Sequence, residues 1–138
     1  MNVLAKKRNC LLGAVIFSIV FGGVIYFLTD RVDMTFAIEA EVYFIYRGVT
    51  VVHSLENSEL EILRDIFDRK KLQIDNPSCG FSEDISIKFN KEQTFCIARD
   101  TCPIVYWKEA NRYIMISEDE KAQLYGLLEE HGFFFPCI

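Results

Sequence analysis

The feature that most constrains this chain is an uncharged apolar run near its N-terminus. Residues 11–28 read LLGAVIFSIVFGGVIYFL and contain no charged side chain. A bilayer core about 30 Å thick needs roughly 20 mainly apolar residues in a helix, and one residue at either end extends the run to 10–29. The run also lacks the polar stripe of a helix that lies on a soluble core. We therefore predict a single transmembrane helix at residues 10–29.

Charged residues on either side of the run predict its orientation. Lys6, Lys7 and Arg8 precede it, whereas Arg31 is the one basic residue close behind it. Because cytoplasmic flanks carry an excess of Lys and Arg, we expect a cytoplasmic N-terminus and an extracytoplasmic remainder at the cell membrane. A cleaved signal peptide is the alternative interpretation. It is disfavoured because the run is long for a signal peptide and the following TDRVDMTF lacks an A-x-A-like cleavage site.

The run divides the chain into segments. We predict a cytoplasmic tail at 1–9, the transmembrane helix at 10–29, a short link at 30–35 and an extracytoplasmic domain at 36–138. Every acidic residue lies at or beyond Asp30, so the outer part carries 12 basic against 20 acidic residues, a net charge of −8. Such a charge argues against binding to nucleic acid or to an anionic lipid surface.

Hydrophobic periodicity within the domain predicts several strands. Apolar residues alternate from Ile38 to Phe44, and Arg47-Gly48 offers a turn into a second, weaker strand. A loop is predicted at 71–83, where Asn-Pro and Cys-Gly pairs occur. Four further short strands are predicted at 85–89, 95–97, 104–108 and 112–116.

Two helices are also predicted, each opened by a capping-box pattern. Ser58 begins the first pattern and Ser117 the second, and Gly132 is well placed just beyond the end of the second helix. Short connections between consecutive strands indicate antiparallel pairing. We therefore predict an α+β fold in which two helices cover one face of an antiparallel sheet.

Four cysteines in the outer domain predict a disulfide framework: Cys79, Cys96, Cys102 and Cys137. An extracytoplasmic domain of this size commonly depends on such bridges. Of the three connectivities, we favour Cys79–Cys102 with Cys96–Cys137, and Cys79–Cys137 is the runner-up. A single bridge with a buried, unpaired Cys96 is a further alternative.

The same region resembles a group of small uncharacterised proteins of bacteria, chiefly Gram-positive, that are anchored outside the cytoplasm by a membrane helix or a lipid. The resemblance is carried by Asn76 to Phe81, Asp100-Thr101-Cys102, Ile116-Ser117 at the last helix and Phe135-Pro136-Cys137. It covers about residues 76–138. It implies an anchored extracytoplasmic protein, and it carries no activity and no site residue over to this chain.

No motif for catalysis, a cofactor or a metal is recognised in the sequence. The seven glycines form no phosphate-binding frame, and no nucleophile elbow occurs. His53 and His131 are far apart in sequence and fall in no zinc-ligand spacing. We therefore predict no catalytic residue, no cofactor and no metal.

Aromatic residues on the last two strands predict a binding surface. Alternation places Trp107 on the face under the helices and Tyr106 on the opposite face. Tyr106 with Tyr113 would offer flat contact area, flanked by Lys108 and Arg112 for polar contacts. The alternative interpretation is that these rings pair across the strands as part of the core.

Small residues in the apolar run suggest a helix–helix contact. Ala14, Ser18 and Gly22 recur at every fourth position, and such a stripe permits close approach in a homodimer. Taken together, the sequence predicts a non-catalytic, membrane-tethered extracytoplasmic binding or accessory module whose partner is a neighbouring protein. The alternatives are a small envelope enzyme or thiol–disulfide factor, and an immunity-type protein that blocks a toxin.

Overall fold

A computed structural model describes the backbone of residues 2–75, 77–100 and 102–134 and, within the first helix, the side chains of residues 12–25. The chain divides into two compact units, Met1–Arg31 and Val32–Ile138. The first unit is a single helix, α1 (Asn2–Thr29). Across the described residues, no helix combines the length and the apolarity that crossing a bilayer requires. The side chains of residues 10, 11 and 26–29, which belong to the predicted span, lie outside the described residues.

The second unit has an α+β fold built on one antiparallel sheet. Its strands are β1 (Ala40–Tyr46), β2 (Val49–Ser54), β3 (Leu72–Gln73), β4 (Ile85–Phe89), β5 (Gln93–Ile97), β6 (Ile104–Trp107) and β7 (Arg112–Met115). Its helices are α2 (Asn57–Phe67) and α3 (Glu118–Glu130), with a short 3-10 helix at Met34–Phe36. The strand order is β2-β1-β4-β5-β6-β7-β3, and every pairing is antiparallel. The predicted α+β class and antiparallel sheet are confirmed.

The sheet has a front face, which the helices cover, and a back face. The front face carries mainly buried apolar residues, among them Val42, Ile87, Phe95, Val105 and Ile114, which the registers place on the same side of the sheet. Apolar residues of α2 and α3 pack into the same core. The back face carries the alternate residues Tyr43, Ser86, Cys96, Tyr106 and Tyr113, which also lie in one row across the strands.

Side-chain contacts join α2 to α3 at both ends. The Glu59 carboxylate at the start of α2 lies 2.6 Å from the ring of His131 at the end of α3. At the other end, the ammonium group of Lys70 donates to the Glu120 carboxylate at 2.6 Å. Both glutamates also accept a backbone N–H at the start of their own helices, Glu59 from Glu56 and Glu120 from Ser117. The two helices therefore run antiparallel, and their capping residues also hold them together.

Several predicted boundaries are corrected by the structure. The first helix of the domain begins at Asn57 and uses the Glu56–Glu59 pair as its cap, so Ser58 lies inside the helix. Ile38 is exposed because the side chain of Asn90 binds the backbone of the segment before β1 and turns it away from the sheet. The predicted loop at 71–83 contains β3, which pairs with β7.

Because of the position of β3, the segment between β3 and β4 crosses the back face of the sheet. β3 lies at one edge beside β7, whereas β4 pairs with β1 and β5 on the far side of three intervening strands. The described residues 74, 75 and 77–84, here called the back strap, make this crossing. Phe81 of the strap lies against the rings of Tyr106 and Tyr113, with ring centroids 6.0 and 5.6 Å apart. The front face is therefore covered by helices, and part of the back face by the strap.

Candidate functional site

The predicted aromatic surface lies on the back face, partly under the back strap. Tyr106 and Tyr113 are directly opposed on β6 and β7, and their ring centroids are 5.0 Å apart. Both side chains are half-buried, and the hydroxyl of Tyr106 donates to Asn111 Oδ1 at 3.1 Å. Phe81 contacts both rings. The two tyrosines are thus brought together as predicted, but the ring of Phe81 from the same chain packs against both of them.

The two predicted flanking cations are separated. Lys108 lies beside the strap and pairs with the Glu83 carboxylate, which raises the pKa of the lysine. Arg112 lies opposite Trp107 in the register, and therefore on the front side of the sheet, away from Tyr113. The four residues Tyr106, Tyr113, Lys108 and Arg112 consequently do not form one continuous surface.

Trp107 lies on the front face, as the alternation predicts. It is directly opposite Phe95, and the two ring centroids are 5.2 Å apart. The ring of Phe36 stacks on it at 6.2 Å, and its indole N–H donates to Gln93 Oε1 at 2.8 Å. Trp107 is therefore half-buried and packs against the core on the front face.

The predicted bridge between Cys79 and Cys102 is present. The Cα atoms of the two residues are 6.6 Å apart, within the range for a disulfide. The bridge fastens the back strap to the segment between β5 and β6, which explains why the strap can cover the sheet without a secondary structure of its own. The prediction of a disulfide in this domain is therefore confirmed.

The predicted second bridge through Cys96 is corrected. Cys96 is a free thiol, buried on the back face of the central strand β5. Burial, with a smaller contribution from the charge of Glu83, raises its pKa to about 11. At neutral pH it is therefore a protonated thiol and a poor nucleophile, since the thiolate is the reactive form. Its predicted partner, Cys137, lies outside the described residues.

One group of three potential metal ligands occurs among the described residues: Cys79, Asp100 and Cys102, whose donor atoms lie within 4.8 Å of one another. Both sulfurs are consumed by the disulfide, so neither is available as the thiolate that a metal needs. A shallow cleft of about 420 Å³ lies beside the bridge, between the back strap and Arg99-Asp100. Within it, Arg99 pairs with Asp84. The disulfide and the ion pair therefore give this region a structural role, which is to hold the back strap in place.

Among the described residues no strand pairs with the outer side of β2, so this edge of the sheet is open and carries exposed apolar side chains. β2 reads VTVVHS and contains no Lys, Arg, Asp, Glu or Pro. Val49 and Val52 are 63% and 50% exposed, and Ile45 and Tyr46 on the neighbouring strand are also exposed. Natural edge strands are normally protected by charge, proline or shortness. β2 has none of these protections, whereas β3 at the opposite edge has only two residues.

Backbone groups along β2 point outward from the sheet. The N–H of Leu55 donates to the C=O of Ala40 at 2.9 Å, which fixes the phase of the ladder. Because hydrogen-bonded pairs alternate along an antiparallel ladder, the N–H and C=O groups of Thr50, Val52 and Ser54 point toward the open edge. A further strand could add to β2 through these groups without any change in the sheet.

The two histidines of the chain meet above the front side of β2. Their ring centroids are 5.4 Å apart, although one is on β2 and the other caps the end of α3. His131 contacts Glu59, and His53 lies opposite Val42 in the register. Burial alone would raise the pKa of Glu59, but bonds from the Glu56 backbone and from His131 hold it below its usual value. The fold therefore brings together two histidines that are far apart in sequence.

Sequence reasoning missed both features for identifiable reasons. The β2 run VTVV predicts a weak second strand. Its lack of charged residues is the one sequence feature that could have indicated an open edge. Nothing local in the sequence marks the histidine pair, because it depends on where α3 ends relative to β2. Of the small-residue stripe, Ser18 Oγ donates to the backbone oxygen of Ala14 at 2.9 Å, and its role in pairing stays a prediction.

No protein-family model, no curated protein and no solved structure matches this chain. The resemblance to small anchored bacterial proteins therefore stays a prediction. Any function must be argued from the geometry of the chain itself.

Proposed function

We propose that the chain is a non-catalytic binding module that receives an extended segment of a partner protein at the open edge of β2. The observation that supports this is an uncharged, exposed edge strand whose outward backbone groups are free of any protecting charge or proline. Strand addition draws its affinity from main-chain hydrogen bonds and its specificity from alternate side chains. β2 has six residues, enough for several such bonds on one side.

The side chains beside this edge favour an apolar, alternating partner. On the back face, Val52 would meet one row of partner side chains, and on the front side Val49 and Val51 would meet the other. The residues from Asp30 onward carry a net charge of −8, so basic residues flanking the partner segment would speed association. The partner that fits is an extended apolar segment with Lys or Arg at its ends.

This proposal places binding at β2 and away from Tyr106 and Tyr113. Phe81 already packs against both tyrosines, and the predicted flanking cations lie on different sides of the sheet. The thiol–disulfide alternative has little support because Cys96 is buried and its pKa is raised to about 11.

The proposal can be tested with display-selected peptides that alternate apolar and polar residues. We expect peptide binding to slow the hydrogen exchange of the Thr50, Val52 and Ser54 amides in the full-length chain, since these amides would enter a new ladder. Val52→Lys should weaken binding about tenfold or more, because a charge at an edge opposes strand addition. Ile38→Lys is the matched control: it places the same charge on another exposed apolar residue, which is not on the edge strand.

Two outcomes would contradict this proposal. Slowed exchange confined to the Tyr106 and Tyr113 strands would move the site to the aromatic pair. Protection of the Thr50 and Val52 amides could instead increase with protein concentration in the absence of peptide. That result would show that a second copy of the chain binds the edge.

We further propose that the module is tethered to a membrane by residues 10–29, with the N-terminus in the cytoplasm. The eighteen uncharged residues at 11–28 and the basic Lys6, Lys7 and Arg8 before them support this. Protease added to intact cells should digest the domain and leave an N-terminal tag protected. Loss of the tag with survival of the domain would reverse the orientation, and a mature chain that starts near Asp30 would show a cleaved signal.

A further inference from the structure

The pair of histidines has the geometry of a built site. His53 comes from β2 and His131 from the end of α3, and their ring planes are inclined by 39° with centroids 5.4 Å apart. They are the two histidines of the chain, and folding brings them together from distant positions. Two imidazole rings at this separation have no strong mutual attraction of their own. Their convergence therefore calls for an explanation beyond packing.

Glu59 fixes which nitrogen of His131 is available. One carboxylate oxygen, Oε1, lies 2.6 Å from His131 Nε2, and the other, Oε2, accepts the Glu56 backbone N–H at 2.7 Å. An ionised carboxylate only accepts hydrogen bonds, so Nε2 must carry the proton. In the neutral ring, Nδ1 then keeps its lone pair. This carboxylate–histidine arrangement is the one that commonly orients histidine ligands of metal ions.

The surroundings leave room for further ligands from solvent. The side chains of His131 and Glu59 are each 18% exposed, whereas His53 is exposed. The Glu59 carboxylate is thus largely shielded from solvent, whereas the His53 ring is accessible to it. Since Glu59 is also tied into the cap of α2, His131 is held in place before any ligand arrives.

We propose that His53 and His131 bind a divalent transition metal ion of the zinc class, with Glu59 as the carboxylate that orients His131. Imidazole suits Zn²⁺ and its neighbours, whereas Mg²⁺ and Ca²⁺ prefer oxygen ligands. Two nitrogens on one Zn²⁺, each at about 2.0–2.1 Å, lie roughly 3.3 Å apart in tetrahedral geometry. With ring centroids 5.4 Å apart, the exposed His53 ring can turn one nitrogen toward His131 and reach an ion shared by both rings. Water completes the coordination.

The site is distinct from the disulfide group and from the proposed use of β2. Cys79 and Cys102 are bonded to each other. The protein ligands proposed here are instead two imidazole nitrogens. His53 projects to the front side of β2, whereas a partner strand would bond to the outward backbone groups of Thr50, Val52 and Ser54. The two proposals therefore succeed or fail separately.

Titration of the full-length chain with Co²⁺ and Zn²⁺ tests the proposal. We expect one Co²⁺ per chain with visible absorption bands of nitrogen-ligated cobalt, displaced by Zn²⁺ and unaffected by Mg²⁺. His53→Ala should abolish the bands, and because His53 is exposed, this variant keeps the fold. Glu59→Gln should retain the bands with an affinity about 10–100-fold weaker, because an orienting partner is altered while both ligands remain.

Asp100→Asn is the matched control, since it removes the carboxylate of the one three-ligand group among the described residues. It should bind Co²⁺ like the unaltered chain. Unchanged binding in His53→Ala, or loss of binding in Asp100→Asn, would overturn the proposal. Binding that survives His53→Ala but falls with His131→Ala would equally overturn it, because the site requires both rings.

Discussion

Alanine at Phe95 is expected to lower the free energy of unfolding by about 3–5 kcal/mol, the range for removing a fully buried ring. Phe95 has no exposed surface and lies at the centre of the front face. Its ring centroid is 5.0 Å from those of Phe67 and Phe89 and 5.2 Å from that of Trp107. Its removal would open a cavity between α2 and three strands that the remaining rings cannot close.

Urea unfolding of the full-length chain, followed by fluorescence, measures this loss. The single tryptophan, Trp107, contacts Phe95 and reports the packing directly. Phe134→Ala is the matched control because Phe134 is 68% exposed, and its loss should stay within about 0.5 kcal/mol. Equal losses at Phe95 and Phe134 would mean that the front face is not the core of this domain.

Removal of the disulfide is the second large effect that we expect. A chain with both Cys79→Ser and Cys102→Ser should lose about 3 kcal/mol of unfolding free energy. The two cysteines are 23 residues apart, and the bridge restricts the unfolded chain over that interval. The back strap should also detach more often, so that Tyr106 and Tyr113 become more accessible to solvent.

The comparison for this variant is the unaltered chain in reductant, which should show the same loss. Cys96 does not contribute in either case, because it is buried and unpaired. Peptide mapping under non-reducing conditions should recover Cys79 and Cys102 in one linked fragment. Ready alkylation of both residues without reductant would show that the bridge does not form.

The parts of the fold that sequence alone predicted are those governed by local rules. The alternation in β4 to β7 places each residue on one face or the other, and short turns leave antiparallel pairing as the simple solution. Ser117 with Glu120 caps α3, and Gly132 adopts the positive φ of 90° that ends it. These features depend on neighbours within a few residues, which is why pattern and spacing sufficed.

The parts that it missed depend on distant partners. β3 has two residues, too few for a periodic pattern, and it exists only because β7 is there to pair with it. The burial of Phe81 against Tyr106 follows from the strap's route, and that route follows from β3. The histidine pair likewise depends on how far α3 extends. The Cys79–Cys102 bridge is the one contact between distant residues that the sequence predicted, because four cysteines allow only three pairings.

The placement of β3 also has a consequence for the order in which the sheet is assembled. The strands β4 to β7 pair with their sequence neighbours and close short loops. β1 instead pairs with β4, from which α2 and β3 separate it in sequence. Leu72 of β3 pairs with Ile114 of β7, which is also distant in sequence. Non-local pairings carry the larger loop-closure entropy and slow folding. We therefore expect the β4–β7 meander to form first, and the strap to be drawn over it last. The disulfide between Cys79 and Cys102 would then form late in folding, after the two-residue strand β3 has paired with β7.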